Sequence, residues 1–160
     1  MKLRPFMPEA RLSQDALKLD DYLPYLVNRV GAALVETYTR GALAGHKLSI
    51  DMWRVLAALS NNGGQRQIDL AGVTSIEAST VSRIVTRLVR LGLVSRSRSE
   101  TSSREVLVQL SPKGRALVKK LIPVAVALEE SAATGLSSTE LTQLKKVLRK
   151  VYANLAVARR

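Results

Sequence analysis

The sequence predicts a mainly α-helical fold with one small β-hairpin. Apolar residues recur at the i, i+3, i+4, i+7 spacing of a buried helix face in most segments between 20 and 155. One stretch, 94–110, alternates apolar and polar residues on either side of a polar link, which is the period of paired strands. With 46% apolar residues in a length of 160, the chain can bury one substantial core, as a single domain or two interleaved lobes.

In order along the chain, residues 1–19 carry Pro5 and Pro8 among scattered charges and suit an arm whose order depends on what it packs against. Asp20 or Asp21 is placed to cap a long helix with the stripe Leu23, Leu26, Val27, Val30, Ala33, Leu34 and Tyr38, ending before Gly45. Ser49 is placed to cap the next helix, with Leu48 as a staple onto Trp53. Val55, Leu56 and Leu59 continue that stripe to Asn61, and Asn62, Gly63 and Gly64 turn the chain. Residues 67–71 suit a short helix, with Gly72 as the turn into a better-marked one. There Thr74 and Glu77 have capping-box spacing, Val81, Ile84, Val85, Leu88 and Leu91 form the stripe, and Gly92 suits a left-handed terminus.

Next, Val94, Arg96 and Arg98 alternate with serines, and Val106, Val108 and Leu110 follow across the polar link 99–103. This pattern predicts a hairpin with apolar inner faces and a polar, basic tip. Ser111 and Pro112 read as cap and first residue of a helix toward Thr134, with Pro123 as a kink and Gly135 as the stop. Ser137 and Glu140 form a second capping-box pattern, ahead of Leu141, Leu144, Val147, Leu148, Val151 and Leu155. Lys145, Lys146, Arg149 and Lys150 line the opposite side of that last helix. The terminal stripes exceed what a small hairpin-bearing domain covers, so a second copy of the chain is the expected cover.

The helix before the hairpin carries Ser79, Ser82, Arg83, Thr86, Arg87 and Arg90 on the face away from its stripe. These side chains hydrogen-bond phosphates and base edges, and the arginine fork can engage guanine bidentately. A short helix, a turn, a reading helix and then a hairpin is the order of a winged helix-turn-helix. The formal net charge of +12 favours a polyanionic partner. Its distribution is sharper: residues 79–104 hold six arginines against the single acid Glu100. The absence of cysteine removes disulfides, thiolate metal sites and thiol redox sensing. No signal-like or membrane-length apolar run occurs, so the cytoplasm is the expected compartment and no membrane partner is expected. One histidine, no glycine-rich phosphate loop and no carboxylate pair at metal spacing predict neither catalytic residues nor a metal or cofactor.

Three runs in register, IDMWRVLAAL, STVSRIVTRLVRLGLVSR and SREVLVQLSPKGRAL, resemble the MarR-type multiple-antibiotic-resistance regulators over roughly residues 20–155. The resemblance implies a homodimer built from the N- and C-terminal helices, with each recognition helix in a major groove and each wing over a minor groove. It also implies repression relieved by a small organic effector, often an aromatic anion. It divides the chain into an arm (1–19), a helical dimerisation region (20–48 and 112–160) and a DNA-binding domain (49–111).

The expected contacts to double-stranded DNA are Gln67, Thr74, Ser79, Thr80, Ser82, Arg83 and Arg87, with Arg96, Arg98 and Arg104 on the wing. Ser102 stands where family members commonly have an aspartate that braces the wing arginine, and Glu100 or Glu105 are substitutes. Tyr25, Arg29, Tyr38, His46 and Trp53 are candidate effector-pocket residues, because they lie on or beside two helices that flank the family's pocket. The competing function is a nucleic-acid packaging protein using the charge without reading sequence. Aromatic residues at 4% argue against single-strand and RNA stacking modes.

Overall fold

The computed structural model describes residues 17–98 and 106–157. The elements follow in the order α1 (Leu23–Tyr38), α2 (Ile50–Asn62), α3 (Gln67–Thr74), α4 (Ala78–Arg90), β1 (Val94–Arg98), β2 (Val106–Leu110), α5 (Pro112–Ala132) and α6 (Ser138–Val157). This is the mainly helical fold with a small hairpin that the periodicities predict.

The core lies where α2, α3 and α4 meet the hairpin and the first half of α5. Met52, Val55 and Leu56 come from α2, Leu70 from α3, and Val81, Val85 and Leu88 from α4; all are fully buried, as are Val108 and Val118. Each large aliphatic side chain withdrawn from water contributes about 1.5–3 kcal/mol.

Several helix ends form as their local residues dictate. The Ser49 hydroxyl accepts from the Met52 N–H at 3.3 Å, and that of Ser111 accepts from the Gly114 N–H at 2.9 Å. Ser137 and Glu140 bond reciprocally: the Ser137 N–H donates to Glu140 Oε2 at 2.8 Å, and the Glu140 N–H donates to Ser137 Oγ at 3.2 Å. The Ser137 N–H, together with the Ser137 hydroxyl, which donates to the same Oε2 at 2.7 Å, holds the Glu140 carboxyl below its ordinary pKa. At the end of α4, Leu93 N–H donates to Leu88 O at 3.0 Å and Gly92 N–H to Val89 O at 2.9 Å, with Gly92 at φ 70°. That is a Schellman terminus, and only glycine takes such a φ at no steric cost.

Four details differ from expectation. Asp20 and Asp21 lie in a separate 3₁₀ turn, Leu19–Asp21, and α1 starts at Leu23 without a side-chain cap. Proline in its first turn, with φ preset for a helix, starts it instead. At its other end α1 widens into a π-helical turn, Thr39–Leu43, which sends Leu43 into the core. The Thr74–Glu77 box does not form, because α3 runs through Gly72 and ends at Thr74, whose hydroxyl donates to Leu70 O at 2.6 Å. Leu70, fully buried, anchors a helix that outlasts the glycine penalty of about 1 kcal/mol. The turn falls at Ser75, in the left-handed region at φ 56°.

The lining of the hairpin's inner face is the fourth difference. Val94 pairs with Leu110, Arg96 with Val108 and Arg98 with Val106, so both arginines share the face of Val94. The inner face is therefore apolar only at its base, where Val94, Val108 and Leu110 are buried. A further rung comes from outside the hairpin: Gln65 exchanges two backbone hydrogen bonds with Val108, at 2.9 and 2.8 Å. α5 continues through Pro123 to Ala132 without a break.

α1 and α6 leave most of their apolar stripes open. Val30 is 59% exposed and Leu155 62%, and among the described residues α6 places none in the core. No helix among the described residues is long and apolar enough to cross a membrane.

Candidate nucleic-acid interface and adjoining cavity

α4 separates its faces sharply. Val81, Ile84, Val85 and Leu88 are buried, while Ser79, Ser82, Arg83, Arg87 and Arg90 are exposed and Thr80 and Thr86 half-exposed. Two bonds order this surface. The Arg83 guanidinium donates to Thr80 Oγ1 at 3.1 Å along the helix, and that of Arg96 donates to Thr86 Oγ1 at 3.0 Å, crossing from β1 to α4. Thr86 in turn donates to Ser82 O at 3.0 Å. Wing and helix thus present one continuous cationic surface, with Arg98 exposed at its far end. No acidic residue occurs in 79–98 to neutralise it.

The hairpin base is clamped to both neighbouring helices. Ser111 N–H donates to Leu93 O at 3.0 Å and Ser111 Oγ to Gly92 O at 2.6 Å, while Lys113 Nζ reaches Leu91 O at 2.9 Å. The first turn of α5 approaches so closely that a Cβ on Gly114 would collide with Leu93 O. At the start of α3, Arg66 grips Asp69 with Nε–Oδ2 2.8 Å and Nη2–Oδ1 2.9 Å, which holds the Asp69 carboxyl below its ordinary pKa.

Of the expected contact residues, α4 and β1 bring Ser79, Thr80, Ser82, Arg83, Arg87 and Arg96 to this surface, and Arg98 extends it. Gln67 is half-buried at the start of α3, and the Thr74 hydroxyl is occupied by Leu70 O. Arg104, with Ser102 and the substitutes Glu100 and Glu105, lies outside the described residues.

A cavity of about 450 Å³ opens between α1, α2, α5 and α6. Its wall is almost wholly apolar, from side chains such as Leu34, Trp53, Leu128 and Leu148. Tyr38 and Trp53 meet there with ring centroids 5.5 Å apart and planes tilted by 57°. The Tyr38 hydroxyl is spent on Leu121 O at 3.1 Å, and burial raises its pKa. Glu129 and Lys145 are the two charged side chains of the lining, joined at 2.6 Å.

Tyr38 and Trp53 therefore line the cavity, whereas Tyr25, Arg29 and His46 are not among its lining residues, and Arg29 and His46 are exposed. The cation at the cavity is Lys145. The stripe pattern assigns it to the solvent side, yet it sits beside Leu144 and one turn from Leu141 and Leu148, at the stripe's edge.

The model of the MarR family matches residues 48–106. A MarR-family transcriptional regulator from Silicibacter pomeroyi is 31% identical and superposes with a TM-score of 0.74, over 86% of this chain and 92% of that one. The chain belongs to the MarR family. The repressor NicR of Pseudomonas putida is 29% identical over 138 residues, 82% of this chain and 87% of that protein. BpsR of Bordetella bronchiseptica, whose DNA binding is regulated by 6-hydroxynicotinic acid, is 28% identical with a TM-score of 0.76, over 86% of this chain and 97% of its own. As a MarR-type transcription regulator, the chain carries its family's winged helix-turn-helix across α2 to β2, which the family model matches as far as Val106, the first residue of β2.

Proposed function

We propose that the protein is a homodimeric repressor that reads a pseudo-palindromic duplex operator and is released by a small aromatic acid or its thioester. The observation that carries this reading is the acid-free arginine surface of α4 and β1, held together by the Thr86–Arg96 bond. In it, α4 enters a major groove with Arg83 and Arg87 toward base edges, and Ser79, Thr80 and Ser82 toward bases and phosphates. Arg96, Arg98 and Arg104 hold the flanking backbone, with Gln67 and Thr74 at the groove margin. Residues 49–111 act as the reading head. Residues 20–48 and 112–160 act as the assembly region, whose open stripes on α1 and α6 pair with those of a second copy.

The cavity suits the effector. Trp53 and Tyr38 offer aromatic faces to a ring, and Lys145 is the cation a carboxylate would take from Glu129. A half-buried exchange of that kind needs a preference of only about 2.7 kcal/mol for one dimer arrangement to shift operator affinity about a hundredfold. The regulation of BpsR by a hydroxylated pyridine carboxylate supports the ligand class.

The test is fluorescence anisotropy on a duplex selected by the protein from a random pool. Arg83→Ala is expected to cost about 1–3 kcal/mol on the selected site and little on random duplex. Equal affinity of the wild type for both at physiological salt would return the protein to the packaging class. For the effector, 6-hydroxynicotinate, benzoate and their coenzyme A esters are titrated against the complex. Release that Lys145→Met weakens is the expected result; release only by a metal ion or oxidant would overturn the ligand class.

A further inference from the structure

One face of α6 touches two distant parts of the chain. Leu141, Leu144, Lys145 and Leu148 line the cavity, and one turn beyond Leu148 the same face ends in Tyr152. The Tyr152 hydroxyl lies 2.7 Å from Ser75 Oγ, a hydrogen bond across 77 residues of sequence. Ser75 is no ordinary surface serine. It is the left-handed residue, at φ 56°, of the turn between α3 and α4, and α4 begins only three residues later at Ala78. A non-glycine residue held in that region sits about 1–2 kcal/mol above its relaxed backbone, so the direction in which α4 leaves the turn depends on what holds Ser75 there.

Tyr152 is 59% exposed in the single chain, yet its hydroxyl has a defined partner within that chain. Lys145 and Tyr152 are seven residues apart, about 10 Å along a rigid helix, and any movement of α6 at the cavity is transmitted to Tyr152 nearly undiminished.

We infer that Tyr152 is a positioning residue for DNA reading: its bond to Ser75 fixes the entry of α4 relative to α6, and α6 carries the state of the cavity to that bond. The second half of this inference rests on the effector reading above; the first half does not. A ligand carboxylate that takes Lys145 from Glu129 loosens α6 from α5. The displaced α6 then pulls on the Ser75 turn and misaligns the arginine face.

The test is a double-mutant cycle on ligand-free, full-length protein with Tyr152→Phe, Ser75→Ala and the pair. Each single variant is expected to weaken binding to the selected operator about threefold to tenfold, the range of one net hydrogen bond, and the pair no more than either alone. Affinity for random duplex is expected to stay unchanged, because phosphate contacts do not require the alignment; a merely structural role would weaken both together. Multiplicative losses in the pair, or single variants that bind operator like wild type, overturn the inference.

A second arm titrates 6-hydroxynicotinate and benzoyl-coenzyme A, reading quenching of Trp53, the only tryptophan in the chain, beside operator release. Tyr152→Phe is expected to keep the quenching and lose most of the release. Release equal to wild type overturns the transmission step. Probes that neither quench nor release the wild type overturn the effector reading, and with it transmission from the cavity, while the ligand-free cycle still decides the positioning role.

Discussion

The reading head and the terminal helices are built from the same kinds of residue yet stand in opposite conditions. The stripes of α2 and α4 are largely buried by the chain's own neighbours, although Ile68 and Val73 of α3 and Val106 of β2 stay exposed, and the start of α2 and the end of α4 are closed by local hydrogen bonds. α1 and α6 have equally clear stripes, but Leu23, Val27 and Val30 on one and Val147 and Leu155 on the other remain exposed in the single chain. Amphipathic periodicity therefore reports that a face will be buried, and is silent on whose atoms will bury it. The head is complete in one chain; the terminal helices supply surface for something else.

The sharpest way to break this contrast is to damage each region in turn. Leu56→Ala, in the fully buried centre of the head, is expected to cost about 3–5 kcal/mol, with the same loss at low and high protein concentration in chemical denaturation. Val147→Ala on α6 is expected to cost about 1 kcal/mol per protomer and so about 2 kcal/mol per dimer, appearing as a raised dissociation constant in sedimentation with the head's own fold intact. If Val147→Ala leaves association untouched, the α6 stripe is not the dimer surface.

Smaller effects sharpen the picture of the head. Thr86→Val keeps the shape of α4 but removes the acceptor for Arg96, and is expected to weaken operator binding by about 1 kcal/mol with no change in melting temperature. Equal loss of melting temperature would mean the bond serves the fold and leaves the wing free of the helix.

The least effect concerns pH. Glu140 is held below its ordinary pKa by Ser137, so its contribution is fully present above the unfolded-state value near 4.3 and is lost as pH falls through the lower folded value. Fraying at the start of α6 is expected only in that acid window, seen as faster amide exchange at residues 138–141. Unchanged protection there would show that the cap contributes nothing.

Much of the fold was legible because its signals are local. Ser49, Gly92, Ser111 and the Ser137–Glu140 pair each act through bonds within a few residues, and each formed as written. The Thr74–Glu77 pair shows the limit. Its spacing matches Ser137–Glu140, yet buried Leu70 extends α3 over Thr74 and moves the turn to Ser75, a tertiary effect no short window contains. The cavity was legible only for Tyr38 and Trp53. Lys145 was not, because its long stem lets a residue at the edge of a stripe bring charge to an apolar wall, and because its partner Glu129 lies 16 residues earlier on another helix. Arg96 was legible as a wing residue, but its bond to Thr86 was not, because that depends on how β1 lies against α4.

The clamp at the hairpin base bears on how such a chain can change over generations. Gly92, Leu93, Ser111 and Gly114 join the end of α4 to the start of α5 at a point through which both strands must pass. Residues added or lost between Arg98 and Val106 fall beyond that point, and a new length there leaves the direction of α4 untouched. A change of length there therefore spares the junction, while a side chain at Gly114 would meet Leu93 O and disturb both helices at once.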